Sequence, residues 1–240
     1  MKKTLGIVVA SSLAVISMPA SADFLFSLDA EAQYWQADAS GSHAAARTMS
    51  GFSGYDWDSS GQLGLSATFI HIVPFVPNVK IETQELKFTG DWVATSDSVT
   101  VDLGHETYTL FYAPLDNDLV ELHVGASLKQ IDGFIAENYG MTDQPYWKID
   151  EDVFSAYLRA AVGLPFSGFA VIAEGHLGTF GDHDVYDFQG SVRYRFIDSL
   201  TLDGYVSLGY RAMKMDLKQG NDFITNYEFT GPFANVSLSF

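Results

Sequence analysis

The chain has 240 residues, 30 acidic and 13 basic side chains, a formal charge of −17 and no cysteine. The charge balance argues against a nucleic-acid partner, because phosphate contacts need clustered Lys and Arg. The missing thiols exclude disulfide scaffolds, thiolate metal sites and cysteine nucleophiles. At 47% hydrophobic residues, with 14% aromatics and 21 glycines, the chain is too apolar for disorder and leans towards β structure.

The first element spans residues 1–22. Met1-Lys2-Lys3 is basic, Leu5 to Met18 is apolar or small, and Pro19 precedes Ala20-Ser21-Ala22. That order is a secretory signal peptide with Ala20 and Ala22 as the small-x-small cleavage site. A transmembrane anchor needs about 20 apolar residues, and this stretch is shorter. The expected mature chain is one exported domain, Asp23–Phe240.

From there the pattern is alternation with period two, which gives a strand two chemically different faces. Phe24, Phe26, Leu28, Ala30, Ala32 and Tyr34 oppose Ser27, Asp29, Glu31 and Gln33. The pattern returns with Leu63–Phe69, with Val79–Thr83 against Lys80, Glu82 and Gln84, and then across Val99–Tyr112. Within that last stretch the apolar parity switches from Val99, Val101 and Leu103 to Tyr108, Leu110 and Tyr112, so a bulge is expected near Gly104–Glu106. Further segments follow at Val120–Leu128, Phe154–Val162, Phe169–Leu177, Tyr186–Phe196, Leu200–Tyr210 and Ala234–Phe240, making ten.

Connections alternate too. Short turns at Val73–Asn78, Pro114–Asp118, Pro165–Gly168 and Ile197–Ser199 separate longer ones at Ala37–Ser60, Thr89–Ser98, Asp132–Asp152, Thr179–Asp184 and Met213–Asp222. An even strand number with short turns on one side and long loops on the other describes an outer-membrane barrel. A soluble sandwich or lipocalin-like barrel also alternates. Against it stand aromatics gathered at segment ends and a last strand, Val236, Leu238 and Phe240, that finishes on an aromatic as an assembly signal would. The expected fold is therefore all-β: a transmembrane antiparallel up-and-down barrel of about ten strands. Eight strands is the alternative, with the Lys80–Tyr112 region outside the lipid. Gly231-Pro232 is placed above the membrane zone or at a bulge, since proline cannot donate to a ladder.

The stretch His71-Ile72-Val73-Pro74-Phe75-Val76-Pro77-Asn78-Val79-Lys80, the run Asp102-Leu103 through Tyr112, Leu115-Asp116-Asn117 and the terminal Phe240 carry a likeness. With the signal peptide they resemble a proteobacterial outer-membrane β-barrel family associated with GlyGly-CTERM genomes. That resemblance implies a single-chain barrel of uncharacterised function. More distantly the chain is similar to OmpW-like barrels, which are implicated in passage of small hydrophobic molecules; no motif here matches that activity.

By parity the lumen receives Asp29, Glu31, Glu82, Glu121, Glu174, Asp187 and Asp203, together with Lys80, His123, Lys129, Arg159, His176, Arg193, Arg195 and Arg211. Both signs in similar number can pair off, and they need to, because an unpartnered charge in a low-dielectric interior costs several kcal/mol. Glu121, His123, Arg159, Glu174, His176, Arg193 and Arg195 are the core of the expected network. A sharper alternative is an envelope hydrolase or acyltransferase, with Glu121–His123 or Glu174–His176 as the base pair and Ser127, Ser155 or Ser207 as nucleophile. Against it, Glu-x-His arises by chance on any polar strand face.

The six histidines show no metal spacing, and no cofactor is expected. His183 between Asp182 and Asp184 reads as a solvated turn. The acidic segment Asp132–Asp152, with Tyr139, Tyr146 and Trp147, is either a solvated tip or a surface-recognition patch. The expected role is non-enzymatic: envelope support, or passage of a small, unidentified solute through a narrow, largely filled lumen. Expected partners are outer-membrane lipid, lipopolysaccharide, the barrel-assembly machinery and periplasmic chaperones.

Overall fold

The computed structural model describes residues 26–45, 55–92, 97–117, 119–138, 146–178, 184–219 and 223–240. Ala20, Ala22, Tyr139, Asp143, Asp182 and His183 lie outside them.

The strands, in chain order, begin with β1 (Phe26–Ala45), β2 (Tyr55–Trp57), β3 (Ser60–His71), β4 (Asn78–Gln84), β5 (Lys87–Trp92), β6 (Ser98–Asp102) and β7 (His105–Asp116). They continue with β8 (Val120–Asn138), β9 (Tyr146–Gly163), β10 (Phe169–Gly178), β11 (Asp184–Asp198), β12 (Asp203–Gln219) and β13 (Phe223–Ser239). All pairings are antiparallel. The ring runs β1-β3-β4-β7-β8-β9-β10-β11-β12-β13 and closes where β13 pairs β1 and β8 pairs β9. This is a closed barrel of ten staves. Both Val79–Thr83 and Tyr108–Tyr112 belong to staves, which removes the eight-strand alternative. Phe240 completes the seam: its N–H donates to Leu28 O at 3.0 Å, and Leu28 N–H donates to Phe240 O at 3.1 Å.

Short strands β2, β5 and β6 prolong the staves on the side away from the termini. The register explains how. Gln84 opposes His105 and Lys87 opposes Asp102, so β4–β5 and β6–β7 form one uninterrupted hairpin frame. On the other edge, Asp102 opposes Phe134 and His105 opposes Ile131, again without a shift. The bulge expected near Gly104–Glu106 is therefore absent. Val99, Val101 and Leu103 keep the parity of His105 and Thr107 and are buried inside the barrel. The register shifts that do occur fall at the opposite end, between Tyr112 and Leu115 and between Arg195 and Ile197.

Pro232 makes no bulge either. Trp35 opposes Phe233 and Asp38 opposes Thr230 in one register, with the ladder interrupted opposite Gln36 and Ala37. There the strands approach so closely that a Cβ on Gly231 would meet Gln36 O at 1.9 Å. The Trp35 indole donates to Gly231 O at 3.2 Å, satisfying a carbonyl that the interruption leaves.

Alternation places Leu65, Phe69, Ile81, Leu110, Val124, Leu158, Val171, Val192, Leu208 and Val236 on the outer surface, all exposed. Exposed apolar surface on every stave, in one continuous belt, is a lipid-facing surface. Aromatic pairs Phe26–Phe69 (5.8 Å) and Phe169–Tyr194 (4.8 Å) lie at its lower edge, towards the termini. At the upper edge the outward positions turn polar together: Asp38, Glu85, Glu106, Gln130, Asp152, Asp184, Lys214 and Glu228. Above that edge the staves keep going. Stretches read from sequence as long loops, Asp132–Asp152 and Met213–Asp222, are largely strand, in β8, β9 and β12.

A lumen in two zones

Inside the lipid belt the lumen is polar. In its lower zone Glu121 joins Arg159 and Arg193, the latter at 2.7 Å. Arg159 reaches Glu174 at 3.4 Å, and Lys80 lies 2.6 Å from Glu174 and 2.9 Å from Glu82. Four of the expected network residues, Glu121, Arg159, Glu174 and Arg193, are thus one chain of ion pairs, extended by Lys80. Arg195 stands apart at the rim, 3.7 Å from Asp198 and 4.0 Å from Asp203.

The two histidines part company. His123 makes no hydrogen bond through Nε2; its ring stacks on Phe111 at 4.7 Å, so the Glu121–His123 base pair is not formed. His176 Nδ1 lies 2.9 Å from Ser127 Oγ, and its Nε2 lies 3.7 Å from Glu82. Glu174, expected as the orienting acid of His176, instead binds Lys80 and Arg159. Of the other serine candidates, Ser155 Oγ has no hydrogen-bond partner, and no hydrogen bond links Ser207 to either histidine among the described residues.

A second tier crosses the lumen above this one. The Arg211 guanidinium donates twice to Asp187, at 2.9 and 2.8 Å, and its third nitrogen donates to Gln33 at 2.9 Å and Gln84 at 2.7 Å. The planar guanidinium is suited to such a hub, since its donors sit in a fixed fork. Lys129 contributes at 3.4 Å from Asp187 and 2.9 Å from His105 Nε2. His105 Nδ1 lies 3.0 Å from Leu103 O, so this nitrogen carries the proton and Nε2 accepts from Lys129. The hub residues come from β1, β4, β7, β8, β11 and β12, which ties distant staves across the bore.

Above Arg211 the chemistry reverses. Its guanidinium lies 4.8 Å from the Trp35 ring, and beyond that ring the interior is apolar. Leu86, Phe88, Val99, Val101, Leu103, Ile131, Ile135, Ile149, Val185, Met215, Tyr227 and Phe229 form one core, with Trp35, Leu86 and Phe229 at 0% exposure. Phe88 and Phe229 stack at 4.9 Å. Within this core His43 Nε2 lies 2.6 Å from Glu137 Oε1, and its Nδ1 lies 2.7 Å from the Tyr227 hydroxyl. Tyr55 donates to the same carboxylate at 3.2 Å. Sequence reading missed this cluster: its members lie on four different strands and share no local pattern.

The consequence for the bore is direct. A cavity of about 1060 Å³ opens at the rim beside the termini and extends up to Glu31, Lys80 and Glu174. Around Arg211 and Asp187 the free space falls to about 30 Å³, room for roughly one water. The lumen is a cup. One described group with metal-ligand geometry, Glu82, Glu174 and His176, lies in its floor. Lys80 Nζ is within ion-pair distance of both carboxylates, so an ammonium fills the role a cation would have there.

No protein-family profile matches the chain, and no curated protein does. Among solved structures it is similar to the outer-membrane protease OmpT from Escherichia coli, at 9% identity and TM-score 0.45, covering 89% of this chain and 97% of that one. It is also similar to a Pseudomonas aeruginosa FadL homologue, at 8% identity and TM-score 0.37, covering 90% of each chain. A third likeness is to the outer membrane protein AlkL, at 12% identity and TM-score 0.30, covering 88% and 89%. At such values the likenesses transfer no activity. The fold rests on the chain's own geometry: an all-β, closed, ten-stranded antiparallel barrel of the outer-membrane kind.

Proposed function

We propose that this protein is a non-enzymatic outer-membrane barrel that does not conduct solutes straight through its bore, and that it serves the envelope as a rigid, outward-projecting body. The observation carrying this reading is the apolar core above Arg211, where Trp35, Leu86 and Phe229 are fully buried inside the barrel. Ten staves bound a narrow bore, whereas aqueous channels need about 16. Insertion would rest on the closing strand Val236–Phe240, recognised by the assembly machinery. The likeness to the barrel family of GlyGly-CTERM genomes fits this role in fold and adds no activity.

Single-channel recordings in planar bilayers test the reading. The wild type is expected to give no steady open current. A variant that removes both obstructions, Arg211→Ala combined with Phe88→Ala/Tyr227→Ala/Phe229→Ala, is expected to leak, because the rings fill the outer bore and the Arg211 guanidinium closes the layer beneath them. A large, stable wild-type pore would overturn the proposal.

A second reading, hydrolysis, has one contact in its favour: Ser127 Oγ at 2.9 Å from His176 Nδ1, with Glu82 on the far side of the ring. It requires that His176→Ala abolish turnover of a lipid or peptide substrate while the barrel stays folded.

A further inference from the structure

Below Arg211 the lumen neutralises its charges with side chains of the opposite sign. Glu121, Glu174, Glu82 and Asp187 each have a cationic partner. Two carboxylates between the rim and that layer do not. Among the described residues Asp29 and Glu31 have no ion-pair partner; Asp29 is hydrogen-bonded to Ser239, and Glu31 to nothing. Both are on β1, two residues apart, so they leave the same face of the strand about 7 Å from each other. Both line the 1060 Å³ cavity, where water and small solutes reach them from the open rim.

The wall around them has the same bias. The adjoining strands β3 and β13 contribute the hydroxyls of Ser66, Thr68 and Ser237 and no basic residue. Asn235, on β13 beside Gln33, lines the cavity at 8% exposure with its side-chain oxygen unpartnered. The cations that share the cavity are committed to other acids: Lys80, on β4, to Glu82 and Glu174, Arg193, on β11, to Glu121, and Arg159, on β9, to Glu121 and Glu174.

We propose that this wall is a binding site for a linear organic dication, an α,ω-diamine, entering from the periplasmic mouth. The chain already uses the required chemistry once: the Lys80 ammonium sits between two carboxylates at 2.6 and 2.9 Å. A free diamine with amino groups spaced by a short methylene chain offers the same contact to Asp29 and Glu31 at both ends. A divalent metal fits less well. It needs several oxygen ligands converging on one point, and Asp29 and Glu31 belong to no such described cluster.

The test is titration calorimetry on the full chain folded in detergent, with 1,4-diaminobutane as the probe. Saturable binding is expected, weakened about tenfold or more in Asp29→Asn and in Glu31→Gln, since each removes a charge-assisted hydrogen bond. 1-Aminobutane is expected to bind at least about tenfold more weakly than the diamine by the same reasoning. Heat-modifiable gel mobility reports whether each variant is folded, and either isosteric variant alone suffices. Absence of saturable heat would overturn the proposal. So would affinity unchanged in the folded variants, which means surface charge is the attractant, and so would displacement of the diamine by equimolar Mg²⁺, which means a metal site.

Discussion

The barrel's lipid belt and its outer extension are built from the same staves with the same alternation, yet their interiors are opposites. In the belt, apolar residues such as Leu65, Val171 and Leu208 face outward and the bore holds Lys80, Glu174, Asp187 and Arg211. In the extension, Asp38, Asp132, Lys148 and Lys214 face outward and the bore holds Leu86, Phe88, Met215 and Phe229. The solvent decides which arrangement is stable. Lipid rewards an apolar exterior and forces every polar group inward into pairs. Water rewards a polar exterior and lets the interior gain from ordinary hydrophobic burial. Arg211, capped by Trp35 on one side and held by Asp187, Gln33 and Gln84, marks the plane where one solution gives way to the other.

Two core substitutions separate the regions. Phe229→Ala removes a fully buried ring and should cost about 3–5 kcal/mol, measured by denaturant titration of the bilayer-folded protein. Hydrogen exchange should then quicken in β5, β6 and the upper part of β13 while the belt stays protected, as expected of separable cooperative units. Uniform acceleration would mean the zones melt together. Arg211→Met acts on the plane between them. It leaves Asp187 with Lys129 alone and should cost about 3 kcal/mol, the low end for breaking a buried pair. Adding Asp187→Leu together with Lys129→Met, so that no buried charge is left without a partner, should recover much of that loss, because a well-packed apolar group is often no worse than a buried ionic one.

The belt was legible in the sequence because one rule governs all of it. Period-two alternation gave the ten staves, the lipid-facing residues of the belt and the inward direction of its lumen charges, Asp29, Lys80, Glu174 and Arg211 among them. The extension was not legible by that rule. Val99, Val101 and Leu103 are apolar on the lumen parity, and assuming that apolar means lipid-facing turns them into a false bulge. Trp35 is apolar on the parity of Asp29, Glu31 and Gln33 for the same reason: it is the first residue of the apolar core. Charged outward positions such as Asp132 and Asp152 resembled a loop because water on the outside makes a strand look like one. Within the candidate site, residue types were readable and partners were not. Which acid meets His176 depends on β4 lying near β10 across the bore, and the answer is Glu82 rather than its strand neighbour Glu174.

A single substitution placed at two heights gives the finest measure of where the solvent changes. Leu208 is 66% exposed on the lipid face of β12, and placing arginine there puts a guanidinium among acyl chains. The expected loss is about 2–4 kcal/mol if the position lies near the bilayer midplane, falling towards zero near the interfaces. Asn226, outward on β13 beyond Glu228, already faces water, so Asn226→Arg should stay within about 0.5 kcal/mol of the wild type. The contrast has to be read in a bilayer by denaturant titration, because a detergent micelle adapts its thickness to the protein and blurs the edge. Equal losses at both positions would place Asn226 in lipid and raise the upper edge of the belt. In that case the apolar core would have no water outside it to justify its reversal.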